Sequence, residues 1–150
     1  MTWETDDLIS TLNNLIETCK DGEQGFRQAA EGVKDPDLKA LFNSYSRQRA
    51  QFAADLQAEV RRLGGDPEKM GSVAGALHRG WINIKSAVTG QDEEAVIAEA
   101  ERGEDAAVKN YQEALNKDLP ADLRVLIERQ YMQIKEAHDR VRALEVATAH

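Results

Sequence analysis

From Leu8 to Ala29, apolar and small side chains recur at alternating steps of four and three: Leu8, Leu12, Leu15, Cys19, Gly22, Phe26 and Ala29, flanked by Ile9, Ile16 and Ala30. Only an α-helix lines up positions with that spacing on one face, so a long amphipathic helix is expected from about Asp6 to Glu31. The period returns in Leu38, Phe42, Tyr45, Phe52, Leu56 and Leu63, then in Ile97, Val108, Tyr111 and Leu115, and again in Leu123, Ile127, Ile134, Val141 and Leu144. No segment alternates as a strand does. Four such helices, each with one apolar stripe, close a core only by packing on one another. The expectation is therefore an all-α antiparallel four-helix bundle forming a single domain over residues 1–150.

Local stop and start signals set the helix ends. Asp35 is a natural N-cap and Pro36 a natural first residue for a second helix over about 36–63, which Gly64-Gly65 terminates. Asp92, Glu93 and Glu94 suit the positive end of a third long helix over about 92–116, and Leu119-Pro120 precedes a fourth over about 120–148. The stretch from Gly64 to Asp92 is too long for a hairpin connection. Val73, Leu77, Trp81, Ile84 and Val88 give it a stripe of its own, which predicts a crossover helix over about 73–89 lying on the bundle. It leaves the third long helix parallel to the second. Trp81 and the crossover face are the expected surface for a protein partner, a second copy of the chain first of all, with His78 either a partner contact or a packing residue.

Composition removes several functional classes. A net charge of −8 leaves no basic excess to release counterions, so nucleic-acid binding is not expected. No stretch approaches the roughly 18 apolar residues of a membrane span. Met1 to Asp7 carries acidic residues and no basic run leading into an apolar one, so no secretory signal is expected and the cytoplasm is the expected compartment. Cys19, the lone cysteine, excludes an intramolecular disulfide and any multi-cysteine metal site. On the helix 1 seam it is expected to be a small buried hydrophobe.

The seams carry polar residues that need explaining. Glu101 and Glu104 fall in line with Ile97, Val108, Tyr111 and Leu115, and Glu23 lies on the line of Ile9 and Ile16. Gln48 and Arg49 interrupt the second helix. Counting levels from the hairpin turns at about 1.5 Å per residue sets Glu23 beside Arg47, Gln48 and Arg49, Glu104 near Gln133, and Glu101 near Glu136, a turn or less from His138. Both groups fall near mid-height. A buried carboxylate must be paired, protonated or bound to a metal. On one reading Glu23, Glu101, Glu104 and His138, with Gln48 or Glu136, form a carboxylate–imidazole site suited to iron(II) or manganese and then to zinc. On the other, Glu23 pairs with Arg47 or Arg49. The third-helix face is then centred on Val96, Ala100, Gly103 and Ala107, which leaves Glu101 and Glu104 at its edge.

Several segments carry a family resemblance: Leu12-Asn13-Asn14-Leu15-Ile16-Glu17-Thr18-Cys19-Lys20-Asp21-Gly22-Glu23, Gly75-Ala76-Leu77-His78-Arg79-Gly80-Trp81, Ala100-Glu101-Arg102-Gly103-Glu104-Asp105 and Lys135-Glu136-Ala137-His138. Over nearly its whole length the chain resembles the ferritin-like superfamily, and most closely a bacterial ferritin-like four-helix-bundle family known as a domain of unknown function. The superfamily pattern has a glutamate on helices 1 and 3 and a Glu-x-x-His motif on helices 2 and 4. Glu23 and Glu104 match the first requirement. On helix 2 the counterpart is Gln48-Arg49-Ala50-Gln51, and on helix 4 the segment ending at His138 begins with Lys135, with Glu136 displaced by about 100° around the helix. The resemblance implies a ferritin-like bundle and metal sequestration or iron(II) oxidation in stress protection. The departures remove a complete di-iron ferroxidase and leave a single-ion site or a metal-free, non-enzymatic module that self-associates.

Overall fold

The computed structural model describes residues 2–67 and 78–148, and among the described residues there are five helices and a 3-10 turn. They are α1 (Thr2–Glu31), α2 (Pro36–Arg62), the turn His78–Trp81, α3 (Ile84–Thr89), α4 (Glu93–Leu115) and α5 (Ala121–Thr148). No strand occurs among the described residues. The four long helices pack as two hairpins, α1 with α2 and α4 with α5, and α1 packs across to α4.

The helix ends follow the capping chemistry of the sequence. Asp35 accepts the Asp37 N–H at 2.9 Å ahead of Pro36, and Asp92 accepts the Ala95 N–H at 3.1 Å ahead of Glu93 and Glu94. At the end of α2, Gly64 takes φ +85°, a left-handed conformation that glycine adopts without steric cost, and Gly65 donates back to the Val60 carbonyl. Two C-termini are closed by cations. Lys39 Nζ reaches the Ala30 carbonyl at 2.7 Å, and Arg124 reaches the Leu115 and Lys117 carbonyls at 3.0 and 2.7 Å.

The crossover differs from the single helix expected over about 73–89. Residues 73–77 lie outside the described residues, and the remainder is broken into the His78–Trp81 turn and the short α3. The break has a local cause. Trp81 turns inward, and the Asn83 N–H just before α3 is held at 2.6 Å by Glu99 of α4, a carboxylate only 4% exposed.

The core is divided. One apolar cluster gathers Leu12, Leu15, Ile16, Phe52, Leu56, Tyr111, Ile127 and Ile134, and another gathers Phe26, Ala29, Phe42, Ile84, Val96, Ile97 and Val141. Between them, at mid-height, the inward positions are Gly22 of α1, Arg49 of α2, and Gly103 and Glu104 of α4. Burial on each side is the fold's main driving force, and the polar layer between must be internally satisfied.

Candidate functional site

Arg49 and Glu104 are the most deeply buried opposite charges of the molecule's centre, with side chains 1% and 0% exposed. The guanidinium meets the carboxylate bidentately, Nη1 to Oε1 at 2.5 Å and Nη2 to Oε2 at 2.6 Å. Nε donates to Gln48 Oε1 at 3.2 Å, and the guanidinium carbon lies 5.3 Å from the centroid of the Phe26 ring. Gly22 makes this possible, since a Cβ there would stand 3.2 Å from both Cγ and Nη1 of Arg49. Burial opposes the charge on Arg49, but the charge and hydrogen bonds of Glu104 outweigh it and raise the guanidinium's pKa. The pair is a fixed cation on a fixed anion. Arg49 has no proton to exchange at accessible pH and no lone pair to offer a metal.

That arrangement tests the metal centre implied by the ferritin-like resemblance. Two ions at mid-bundle need oxygen or nitrogen donors from all four long helices. α2 supplies a guanidinium instead, aimed at the one fully buried carboxylate of α4. The residues do not fit a dinuclear centre; the positive charge that metal would bring is already supplied by Arg49.

The other expected ligands are dispersed. Glu23 is half-buried, and its backbone carbonyl accepts the Ser46 hydroxyl at 2.7 Å. Gln48 donates to Gln133 Oε1 at 3.2 Å, and both line a small hollow between α2 and α5 with Tyr45, Glu136 and Ala137. Glu101 and His138 do come together, but at the outer edge of the α4–α5 hairpin and with Asp105, not with Glu104 or Glu23. There His138 is 12% exposed, its Nε2 is 2.5 Å from Asp105 Oδ1, and its Nδ1 is 3.0 Å from Asp139 Oδ1. Burial opposes the imidazolium, yet the bonds to Asp139 and Asp105 prevail and raise its pKa. Burial also raises the pKa of Glu101, helped by the charge of Asp105 and by a hydrogen bond with Glu145.

Two buried polar residues, Gln130 and Glu99, carry no expectation from the sequence. Tyr111 donates its phenol proton to Gln130 Oε1 at 2.7 Å, and Gln130 Nε2 donates to the Phe52 carbonyl at 3.3 Å. With that phenol proton committed, Cys19 Sγ, 3.1 Å from the Tyr111 oxygen, is the donor of their contact. The Cys19 thiol is accordingly inert, its pKa pushed by burial from 9.0 up to about 11. Glu99 is the second. Its i,i+3 partner Arg102, at 3.1 Å, was its only legible signal.

Trp81, expected at a partner surface, lies against the bundle. Its indole slots between Gly25 of α1 and Gly103 of α4, where a Cβ at either glycine would overlap the ring, and it meets Phe26 edge-on at 5.1 Å. Close approach is the reason for glycine at both positions. No helix among the described residues is long and apolar enough to cross a membrane.

Comparison with known proteins places this architecture. The sequence matches the family described as Domain of unknown function (DUF2383) over residues 7–117. No curated protein matches it. Among solved structures the fold is similar to a two-domain protein from Anabaena variabilis containing DJ-1/ThiJ/PfpI-like and ferritin-like domains, with 17% identity and a TM-score of 0.77. The match covers 96% of this chain and 40% of that one, so the chain spans less than half the length of that protein. At that identity the likeness establishes fold and nothing about activity. Because the family match extends over well more than half of the chain, and the helices form a ferritin-like bundle, the chain belongs to the DUF2383 family of domains of unknown function.

Proposed function

We propose that the protein is a non-catalytic ferritin-like module whose role is carried by its surfaces and not by a metal centre in the buried middle of the bundle. The observation that supports this reading is the buried bidentate pair of Arg49 and Glu104. A carboxylate already neutralised by a guanidinium has little remaining affinity for a cation, and the Cys19–Tyr111–Gln130 chain beside it is bonded internally. Iron(II) oxidation of the superfamily type needs open coordination positions at mid-bundle, which this layer does not offer.

The test is elemental analysis of tag-free protein after exposure to iron(II) and to manganese, with oxygen consumption followed during iron addition. The expected result is no iron oxidation above the buffer rate and no ion whose retention depends on Glu104. Two ions per chain, lost on Glu104→Gln in a variant that keeps its helical circular dichroism, would overturn the reading.

A further inference from the structure

The seam between α4 and α5 holds a second polar group, outside the buried layer and not required to close the core. Glu101 and Asp105 are one turn apart on α4, while His138 and Glu145 lie two turns apart on α5, so all four turn into one interhelical seam. One donor atom each from Glu101, Asp105 and His138 lies within 4.8 Å of the others. Glu145 hydrogen-bonds to Glu101, which brings two carboxyl groups into contact. Such a contact is tolerated only with a proton or another cation between the oxygens. Around a single imidazole, then, stand the carboxyl groups of Glu101, Asp105 and Asp139, with Glu145 joined to the group through Glu101. Lys135, three residues before His138 on the same helix, spends its charge on Asp139 at 3.5 Å.

The orientation of His138 is the second observation. Its Nδ1 faces Asp139 Oδ1 at 3.0 Å, the carboxylate contact that fixes tautomer and ring direction in metal-ligating histidines. Nε2 faces the Asp105 carboxylate at 2.5 Å, so the ring stands between two carboxylates. In the imidazolium a proton fills that contact, and a divalent cation that replaces it finds Nε2 and a carboxylate oxygen already facing each other. Donors at zinc-like bond lengths of about 2.0–2.2 Å lie roughly 3.4 Å apart around a tetrahedral ion. Reaching that spacing requires only a small swing of Asp105, which is 56% exposed.

We propose that Glu101, Asp105 and His138 form a mononuclear site for a divalent transition cation of the zinc class, with Asp139 orienting the imidazole and Glu145 completing the carboxylate shell. One imidazole among carboxylates selects zinc, cobalt(II), manganese or iron(II) over magnesium and calcium, which take oxygen alone. The site joins α4 to α5 near the outer surface. It shares no ligand with Arg49 and Glu104, so it stands or falls separately from the metal-free bundle centre.

The experiment is calorimetric titration of the full, tag-free chain with zinc chloride, repeated with cobalt(II) to read the coordination geometry from its visible absorption. The expected result is one ion per chain, displaced by neither magnesium nor calcium at the same concentration. His138→Gln and Asp105→Asn should each weaken it at least tenfold and abolish the cobalt band, and Asp139→Asn should weaken it about 10- to 100-fold. Glu23→Gln, which alters a carboxylate outside the site, should leave affinity unchanged. Circular dichroism confirms that each variant is folded. Zinc bound equally by wild type and His138→Gln, or binding that magnesium abolishes at equal concentration, would overturn the proposal.

Discussion

Arg49 on α2 grips both carboxylate oxygens of Glu104 on α4 across the bundle centre, 55 residues away in sequence. Each charge is tolerable there only because of the other. Removing one partner leaves an uncompensated buried ion, so Arg49→Met or Glu104→Leu alone should destabilise the protein by about 3–5 kcal/mol. The double variant should recover most of that loss, since an apolar pair of similar volume carries no desolvation cost. Urea unfolding of the four proteins gives the cycle. Single losses that simply add in the double variant would show that the two side chains do not act as a pair.

Trp81 ties the crossover to the bundle through space left by two glycines. A methyl group at Gly103 or Gly25 must displace the indole, so Gly103→Ala and Gly25→Ala should each cost about 1–3 kcal/mol by overpacking. The displaced ring meets water. Its emission should shift to the red, read against Trp81→Phe because Trp3 contributes a second signal. An unshifted spectrum with full stability would show that the slot does not hold the ring.

Tyr111 is the middle member of the chain from Cys19 to Gln130. Tyr111→Phe keeps the ring and strands the Gln130 oxygen, which should lower stability by about 1–3 kcal/mol in denaturant titrations. Adding Gln130→Leu should return part of it, because the stranded acceptor is then gone. If the second change makes matters worse by the full cost of a separate core lesion, the two are not coupled.

Cys19 links the same chain to pH. The folded thiol keeps its proton until about pH 11, whereas the unfolded thiol gives it up near its ordinary value of 9.0. Its contribution to stability is therefore complete below pH 9 and is lost as pH climbs toward 11, by roughly 2–3 kcal/mol if the unfolded thiol ionises fully. Tyr111, whose pKa burial also raises, acts in the same direction. Urea midpoints at about pH 8, 9.5 and 11 should fall in the wild type and fall less in Cys19→Ala. In parallel, a disulfide reagent near pH 8 should label the thiol only after unfolding.

The helices were legible because helix formation and one-sided burial are written in local spacing. The structure ends α1 at Glu31, starts α2 at Pro36 and α4 at Glu93, and begins α5 at Ala121, each beside the residue whose chemistry marked it. Level counting also held for the first hairpin, where Ser46 meets the backbone of Glu23. What level cannot give is direction around the helix axis. Arg49 stands at the height of Glu23 yet points past Gly22 to Glu104, and Gln48, the residue before it, turns out toward Gln133.

Sequence alone determined an all-helical bundle, the ends of its long helices apart from the start of α1, which lies at Thr2 and not near Asp6, and a polar interruption of the apolar seam on α2 and α4, since each depends on residues within a few turns of one another. Tertiary structure decided which charge answers which. Glu104 and Glu101 are one turn apart and read alike in the sequence, but rotation of α4 about its axis buries the first against Arg49 and leaves the second at the α5 edge with Asp105 and His138. Their difference arises because solvation and pairing depend on what a side chain faces across the bundle, which no spacing along one helix encodes.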